Sequence, residues 1–400
     1  MLACRAMVKT GLERVLDGDV TVLRGKRVGL CVNPTSVDAR LRFSVDLLHA
    51  AAGVELCCLF GPEHGVRGDA QDMVGVGEAK DSVTGLPMYS LYGEDESSLW
   101  PRAEWLDGLD SVVFDMQDVG SRYYTYVWTL LHIMQVAARK RVEVIVLDRP
   151  NPLGGEEVEG GAIADGYRSF VGRASIPNRH GMTMGEMARM CNQSENVGCD
   201  LHVVEMKGWQ RSHWYADTGL PWVLTSPNMP TPETALVYPG MCLVEGTELS
   251  EGRGTTRPFE LTGAPFVSFA EAHALCDALD ALGLPGVRFR PVVFTPTFHK
   301  FGGKRCGGLQ IHVTEPRAYK PYATGVAVLR EFRARFAREF RWRTRPYEFV
   351  ADKPAVDLLT GSAEVREGID AGAPLAALAD TWRAAERDFR ERREPWLIYK

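Results

Sequence analysis

One pattern recurs along the first half of the chain: a short apolar run, a polar turn, and then a stretch with helical spacing. The clearest run is VELCCLF at residues 54–60, which is apolar on both faces and stops at the turn GPEHG. The pattern returns with apolar runs at residues 28–32, 111–114 and 142–147, and with helical spacing at residues 41–52 and 123–139. Strands that are apolar on both faces are typical of parallel sheets covered by helices. The pattern therefore predicts βαβ units and an α/β fold, with a Rossmann-like parallel sheet flanked by helices.

Polar side chains stand where the predicted strands end. In a parallel sheet the carboxyl ends of the strands meet at one edge, and ligands bind in the crevice outside it. The strand ends are followed by Asn33, by Glu63 and His64, by Asp115 and Asp118, and by Asp148 and Asn151. We therefore expect the chemistry of the protein at this edge.

The second half of the chain has a different texture. Glycine, proline and polar residues dominate residues 222–260, and long ordered loops of this kind are usually functional. Beyond them the spacing predicts a helix near residues 269–282, strands near 287–294 and 309–313, and two late amphipathic helices, one of them in the arginine-rich stretch 330–345. The 400 residues are 45% hydrophobic, enough for two cores. We expect a Rossmann-like catalytic domain at residues 1–228 and a smaller α/β domain at residues 229–400 that completes a cleft.

Charge and composition narrow the class of protein. A net charge of -6 gives no long-range attraction to nucleic acid or to anionic lipid. No stretch approaches the roughly 20 apolar residues of a membrane span, and the amino terminus lacks the apolar segment of a secretory signal. The nine cysteines have no regular spacing, which indicates reduced core residues rather than disulfides. We expect a cytoplasmic protein without a nucleic-acid partner or a membrane span. The sequence leaves the oligomeric state open, as well as export through a leader upstream of Met1.

Nine blocks of mostly uncommon residues follow one another in the middle of the chain. They are FGPEHG (60–65), TGLPMYSLYG (84–93), VFDMQDVGSRYYTY (113–126), LDRPNPLGG (147–155), SFVG (169–172), RHGMTMGE (179–186), SPNMPT (226–231), VYPG (237–240) and EGTELSEGRGTTRPFE (245–260). Together they resemble the NamZ-type exo-β-N-acetylmuramidases, a family long catalogued as a domain of unknown function. The resemblance implies a Rossmann-like amino-terminal domain and a smaller carboxy-terminal domain. It also implies removal of terminal β-N-acetylmuramic acid from peptidoglycan fragments in the cleft between them.

Hydrolysis of a glycoside needs an acid for the leaving oxygen and a second group that attacks, activates water or orients a participating substituent. Glu63 is the predicted acid, because an apolar strand end and a nearby Asp115 or Asp118 favour its neutral form. His64 is predicted to hydrogen-bond to Glu63 or to the sugar. If the 2-acetamido group of the substrate is the nucleophile, Asp118 or Glu251 is predicted to orient its nitrogen. A protein nucleophile stays open.

The lactyl group of N-acetylmuramic acid adds an anion to the substrate. Arg253 stands between two glycines, and its planar guanidinium can bind a carboxylate with two hydrogen bonds. Arg67 and Arg122 are the reserve candidates. The other predicted substrate contacts, which bind hydroxyls or the acetamido group or stack on the sugar, are Asn33, Asp115, Gln117, Tyr124, Asn151, His180, Asn228, Glu245 and Glu251.

Each candidate also has a structural explanation. Glu63 and His64 can form a helix cap or an inter-domain hydrogen bond, and acidic residues at a strand-to-helix turn commonly cap the helix. For Asp148 we favour such a bracing role. Arg253 can simply tie the two domains together.

Rival enzyme classes lack their motifs. Gly75-Val76-Gly77 has no third glycine, and no Walker loop, Gly-x-Ser-x-Gly elbow, Cys-x-x-Cys pair or His-Glu-x-x-His is present. We therefore predict no cofactor and no metal. Two alternatives stay open: a metal-dependent hydrolase whose ligands Glu63, His64, Asp118 and His180 converge from distant loops, and a non-catalytic module that binds muropeptides or amino sugars.

Overall fold

The computed structural model describes residues 7–62, 65–66 and 79–400, and its largest element is a seven-stranded sheet. The strands are β1 (Lys26–Val32), β2 (Val54–Gly61), β3 (Ala79–Lys80), β4 (Pro87–Ser90), β5 (Ser111–Asp115), β6 (Glu143–Leu147) and β7 (Leu201–Val204). Their spatial order is β3-β4-β2-β1-β5-β6-β7, and every neighbouring pair is parallel except β3 and β4. The chain moves outward from β1 first on one side and then on the other, so the topological switch point lies between β1 and β5. The predicted Rossmann-like sheet is confirmed.

Helices cover both faces of this sheet and continue through the second half of the chain. They are α1 (Gly11–Leu16), α2 (Ser44–His49), α3 (Tyr126–Lys140), α4 (Met184–Ser194), α5 (Tyr215–Thr218), α6 (Pro232–Met241), α7 (Phe269–Ala281), α8 (Pro321–Arg335), α9 (Ala355–Thr360), α10 (Glu364–Asp370) and α11 (Leu375–Arg393). Within the described ranges, no helix combines the length and the apolar character that crossing a bilayer requires.

The alternation of side chains along β1 explains why both faces are apolar. Val28, Leu30 and Val32 belong to one core with residues of α1 and α2, whereas Cys31 belongs to a second core that includes α3. Gly29 points to the same face as Cys31, and a Cβ there would lie only 2.7 Å from the Phe60 ring. A larger residue at position 29 would clash with the Phe60 side chain of the neighbouring strand β2, so glycine is required there.

The second half of the chain contains a smaller antiparallel sheet. Its strands are β8 (Leu261–Ala264), β9 (Val287–Phe294) and β10 (Cys306–Val313), in the order β8-β10-β9. Helix α7 packs against β9 and β10, and α8 packs against α7. The predicted second α/β unit is therefore present.

The arginine-rich stretch differs in detail from its prediction. Helix α8 begins earlier than expected and ends at Arg335, because Phe336 leaves the helical backbone conformation with φ -114° and ψ 44°. Leu329, Phe332, Phe336 and Phe340 are nevertheless all buried. The apolar spacing identified the buried positions correctly, although the last two of them, Phe336 and Phe340, lie beyond the helix.

Helix α6 packs within the second half of the chain, and the carboxyl terminus connects that half to the large sheet. Helix α6 crosses α8 so closely that a Cβ on Gly240 would lie 1.9 Å from the Pro321 carbonyl oxygen. From the other end of the chain, the Tyr399 hydroxyl donates to Asp148 Oδ2 over 2.6 Å, which brings the carboxyl terminus back to the large sheet. The division into residues 1–228 and 229–400 stays our proposal, supported by the packing of α6 on the second unit.

Candidate active site

Two of the predicted edge residues are completely buried. Asn33 follows β1, and its Oδ1 accepts hydrogen bonds from the Thr35 amide (3.0 Å) and the Thr35 hydroxyl (2.5 Å). Asp115 ends β5, and its Oδ1 accepts from Arg149 Nε over 2.6 Å. Asn33 Nδ2 and Asp115 Oδ2 make no hydrogen bond with any residue that the structure describes. The switch point is thus lined by polar atoms, as its topology predicts, and the sequence analysis missed Arg149 there.

Asp148, at the end of β6, caps a helix. Its Oδ1 accepts from the Gly185 amide in the first turn of α4 (2.8 Å), and its Oδ2 accepts from the Thr183 hydroxyl (2.7 Å). Burial raises the pKa of Asp148 to about 6, although these hydrogen bonds act in the opposite direction. Its contacts agree with the bracing role favoured above.

Asp118 lies in the loop after β5 and is only 5% exposed. Its Oδ2 accepts a 2.7 Å hydrogen bond from the Gly120 amide, while Oδ1 has no hydrogen-bond partner within the described ranges. Burial raises the pKa of Asp118 to about 7, despite hydrogen bonds from the amides of Gly120 and Val119 that lower it. The carboxyl group can therefore change its charge near neutral pH.

His180 faces Asp118 across the loop. Its Nε2 lies 3.9 Å from Asp118 Oδ2, and its Nδ1 accepts from the Met182 amide over 3.2 Å. Burial, followed by the positive charge of Arg393, lowers the pKa of His180 to about 3. The imidazole is therefore neutral, and because Nδ1 accepts, its proton is assigned to Nε2. The pair is a neutral donor beside a carboxyl group, and the 3.9 Å approach is not an ion pair at neutral pH.

Two predicted amide side chains hold these loops in place. Gln117 Nε2 donates to the carbonyls of Asp118 and Pro150, each over 2.7 Å. Asn151 Nδ2 donates to the Met182 carbonyl over 2.9 Å. Gly120, at φ 78°, lies so close to Asn151 that a Cβ would stand 2.3 Å from Asn151 Oδ1. In this structure both amides position the loops that carry Asp118 and His180.

The tyrosines after Asp118 form one wall of a cavity between the two halves of the chain. Tyr124 donates to Thr225 Oγ1 over 2.7 Å and Tyr126 to the Thr225 carbonyl over 2.5 Å, while Tyr123 donates to the Pro239 carbonyl. Burial raises the pKa of Tyr124, and the charge of nearby Asp118 adds to this effect. The cavity is lined by Tyr123, Tyr124, Thr125, Tyr126, Val171, Ser226, Met229, Tyr238, Glu245, Arg253, Phe259, Tyr347 and Glu348.

Glu245 and Arg253 also line this cavity. Arg253 Nη2 donates to Glu245 Oε1 over 2.6 Å, and the Tyr347 hydroxyl donates to Glu245 Oε2 over 2.7 Å. The Arg253 guanidinium also lies 5.2 Å from the centre of the Phe259 ring. Asn228, predicted to contact substrate, lies in the loop between the lining residues Ser226 and Met229, and its Nδ2 has no hydrogen-bond partner in the described part of the chain.

Glu251 is completely buried behind Arg253 and surrounded by basic side chains. Its Oε1 lies 3.0 Å from His299 Nδ1 and 3.4 Å from Arg253 Nε, and its Oε2 lies 3.0 Å from Lys300 Nζ. Burial alone favours the neutral acid, but Lys300, followed by His299 and Arg253, holds the pKa of Glu251 below its usual range. Sequence reasoning missed His299 and Lys300, which stand in the connection between two strands without any recognisable motif.

Arg122 does not fit its predicted reserve role in binding the substrate anion. Its side chain is fully buried; Nη1 donates to the carbonyls of Gly161 and Ile176 and Nη2 to that of Leu359, over 2.6 to 2.7 Å. Burial lowers the pKa of Arg122 to about 10, which leaves it charged at neutral pH. Because Leu359 belongs to the second half of the chain, Arg122 ties the two halves together.

Replacing Arg122 by Met is therefore expected to destabilise the fold. Three buried carbonyl groups would lose their donor, a change that costs on the order of 3 kcal/mol or more. Thermal and urea unfolding of the variant measure this loss. Arg139→Met, an exposed position at the end of α3, is the matched control. Equal unfolding temperatures for the two variants would contradict the structural role.

Three predicted residues, Glu63, His64 and Arg67, lie outside the residues that the structure describes. The chain is described up to Pro62, directly after β2 ends at Gly61. Strand β2 pairs with β1 on one side and β4 on the other. The roles of these three residues stay predictions.

Comparison with known proteins identifies the family of this chain. The family models for "Exo-beta-N-acetylmuramidase NamZ, N-terminal" and "Exo-beta-N-acetylmuramidase NamZ, C-terminal" match residues 28–233 and 236–399. The peptidoglycan beta-N-acetylmuramidase NamZ of Bacillus subtilis (strain 168) is 43% identical over 397 residues, which cover 99% of this chain and 92% of that protein.

Solved structures show the same fold. One DUF1343 family protein from Bacteroides fragilis NCTC 9343 superimposes with a TM-score of 0.88 at 39% identity, covering 99% of this chain and 100% of its own. A second DUF1343 family protein from the same organism gives a TM-score of 0.77 at 27% identity, with 99% of each chain covered. From the family models and the curated relative we conclude that this chain belongs to the NamZ family of exo-β-N-acetylmuramidases, which are glycoside hydrolases.

Proposed function

We propose that this chain releases terminal β-N-acetylmuramic acid from peptidoglycan fragments, with the 2-acetamido group of the substrate as nucleophile. One observation carries the mechanism beyond family membership. Asp118 is buried beside neutral His180, has one carboxylate oxygen without a hydrogen-bond partner in the described residues, and has a pKa near 7. Such an oxygen can accept the N–H of a bound acetamido group.

Two carboxylates were candidates for orienting the acetamido nitrogen, and their surroundings differ. Glu251 is engaged by Arg253, His299 and Lys300, so an acetamido N–H would have to displace a cation. Among the described residues, the basic side chain that lies against Asp118 is His180, and it is neutral at neutral pH. These contacts favour Asp118 as the residue that orients and polarises the acetamido group.

Glu63 is the proposed general acid. In the sequence it follows Pro62 directly, and β2 ends at Gly61, so we expect it near the sheet edge where Asn33 and Asp115 stand. In the first step the acetamido oxygen attacks the anomeric carbon, the bond to the leaving oxygen breaks, and Glu63 gives its proton to that oxygen. In the second step the oxygen of a water molecule attacks the anomeric carbon, the bond to the acetamido oxygen breaks, and Glu63 accepts the proton of the water. Two displacements at one carbon retain the β configuration.

Substrate specificity is proposed to come from Arg253 and Tyr124, which both line the cavity. Arg253 lines the cavity with a guanidinium that suits the lactyl carboxylate. Tyr124 lies at the same cavity, between the Asp118 loop and Thr225, and is the proposed contact for the sugar ring. The proposed partner is therefore a small saccharide or muropeptide.

Incubation with defined MurNAc-β-1,4-GlcNAc tests this function. Mass spectrometry is expected to show free N-acetylmuramic acid, and proton NMR during the first turnovers is expected to show its β anomer. An initial α anomer would contradict acetamido participation. Binding without cleavage would favour the non-catalytic module, and loss of activity with a chelator that is restored by metal would favour the metal-dependent hydrolase.

A further inference from the structure

The loop between β9 and β10 is docked against the loop that carries Arg253. The Gly254 carbonyl accepts from the Thr297 amide over 2.8 Å, and a Cβ on Gly254 would lie 2.7 Å from the Phe298 carbonyl oxygen. His299, the next residue in the chain, has a φ of 64°, in the left-handed region that residues other than glycine rarely adopt. The two loops therefore fix each other through backbone contacts.

Lys300, the residue after His299 in this loop, has a buried side chain. Its side chain is 8% exposed, and its Nζ lies 3.0 Å from Glu251 Oε2 and donates to the Leu249 carbonyl over 3.0 Å. A lysine ammonium at this level of burial normally requires a carboxylate partner, and Glu251 provides it. Nothing in the proposed mechanism uses Lys300.

The charges around Arg253 explain how Lys300 affects the binding of an anionic ligand. Arg253 contacts two carboxylates, Glu245 at 2.6 Å and Glu251 at 3.4 Å, so these three groups together carry a net charge of minus one. An anionic ligand approaching this group would be repelled. Lys300 brings the four groups to neutrality by pairing with Glu251. The Arg253 guanidinium then retains its attraction for a further carboxylate.

We propose that Lys300 is a positioning residue that makes the Arg253 side of the cavity selective for a sugar carrying a carboxylate. It holds Glu251 and offsets its charge, so that the lactyl group of the substrate meets a neutral cluster rather than a net negative one, with the Arg253 guanidinium lining the cavity. The inference rests on the proposed function, since it concerns recognition of N-acetylmuramic acid. It extends that function by assigning the anion selectivity to a residue outside the cavity lining.

The test compares Lys300→Met with Lys300→Arg and with Lys304→Met, an exposed lysine of the same loop. The substrates are 4-nitrophenyl β-N-acetylmuramide and its lactyl methyl ester, which has the same shape without the charge. For Lys300→Met the KM of the acid is expected to rise roughly ten- to hundredfold, while its kcat and the KM of the ester change little. Lys300→Arg should restore most of the affinity, and Lys304→Met should match the wild type.

The outcomes separate this inference from the proposed function. A wild-type protein that cleaves neither substrate contradicts the proposed function itself. A wild type that prefers the acid, with a Lys300→Met variant that weakens acid and ester equally, overturns the role of Lys300 alone. Lys300→Met leaves the buried Glu251 carboxylate without its lysine partner, which destabilises the fold. The double variant Glu251→Gln/Lys300→Met also removes that carboxylate and so serves as the control for misfolding. It is expected to bind N-acetylmuramic acid more tightly than Lys300→Met in calorimetry, and no recovery would count against charge compensation.

Discussion

Replacing Glu63 by Gln is expected to lower kcat on MurNAc-β-1,4-GlcNAc by roughly 10² to 10⁴-fold, the range that a general acid contributes. The amide has nearly the same size but cannot donate a proton to the leaving oxygen, so binding of N-acetylmuramic acid should survive. The loss should be smaller on 4-nitrophenyl β-N-acetylmuramide, because nitrophenolate leaves without protonation. Steady-state kinetics on both substrates, together with calorimetric binding, measure these effects.

Glu55→Gln is the matched control for this variant. Glu55 stands near the opposite end of the same strand, and its side chain is exposed. It should leave both activities unchanged. Full activity of Glu63→Gln on the disaccharide, or an equal loss on the two substrates, would contradict the role of Glu63 as general acid.

Replacing Asp118 by Asn is expected to lower kcat by about a hundredfold or more and to change its dependence on pH. A carboxylate that polarises the acetamido N–H must be ionised, so wild-type activity should rise as the pH passes the Asp118 pKa of about 7. Asparagine does not titrate, and this rising limb should disappear in the variant. Profiles of kcat/KM between pH 4 and 9, a range chosen on the order of two to three units around that pKa, measure the change.

Stability provides an independent check on the same variant. The pKa of Asp118 in the fold, about 7, exceeds the value of about 3.9 for an unfolded aspartate, so the folded protein holds this proton more tightly. The contribution of Asp118 to the free energy of unfolding is therefore fully present below about pH 4 and is lost as the pH rises through about 7.

Asp118→Asn should therefore unfold at an equal or higher temperature than the wild type at neutral pH. Asp280→Asn, an exposed position on α7, is the control. A strongly destabilised Asp118→Asn whose activity falls equally at every pH would indicate a purely structural role for Asp118.

Three expectations rest on the sequence alone and stay predictions. They are the domain boundary at residue 228, the cytoplasmic location and the absence of a nucleic-acid partner. Limited proteolysis addresses the first, because cleavage between β7 and α6 should release two folded fragments if the boundary is correct.

The sequence by itself determined the large sheet and the edge where the polar residues collect. An apolar run buried on both faces leaves few alternatives to a parallel sheet, and parallel strands bring their carboxyl ends to one side. Asn33, Asp115 and Asp148 therefore had to stand together there. The nine sequence blocks added the family, because uncommon residues in fixed order carry information that hydrophobic periodicity lacks.

Only the tertiary structure decided which contacts each polar side chain makes. The sequence offered Arg253 as the first candidate for binding an anion and Arg122 as a reserve. In the structure Arg122 is saturated by three carbonyls, while Arg253 lines the cavity. Hydrogen bonding and burial depend on residues distant in the chain, as Lys300 and Glu251 show. No local pattern encodes such contacts, because the free energy of a buried charge is set by the partners that folding brings to it.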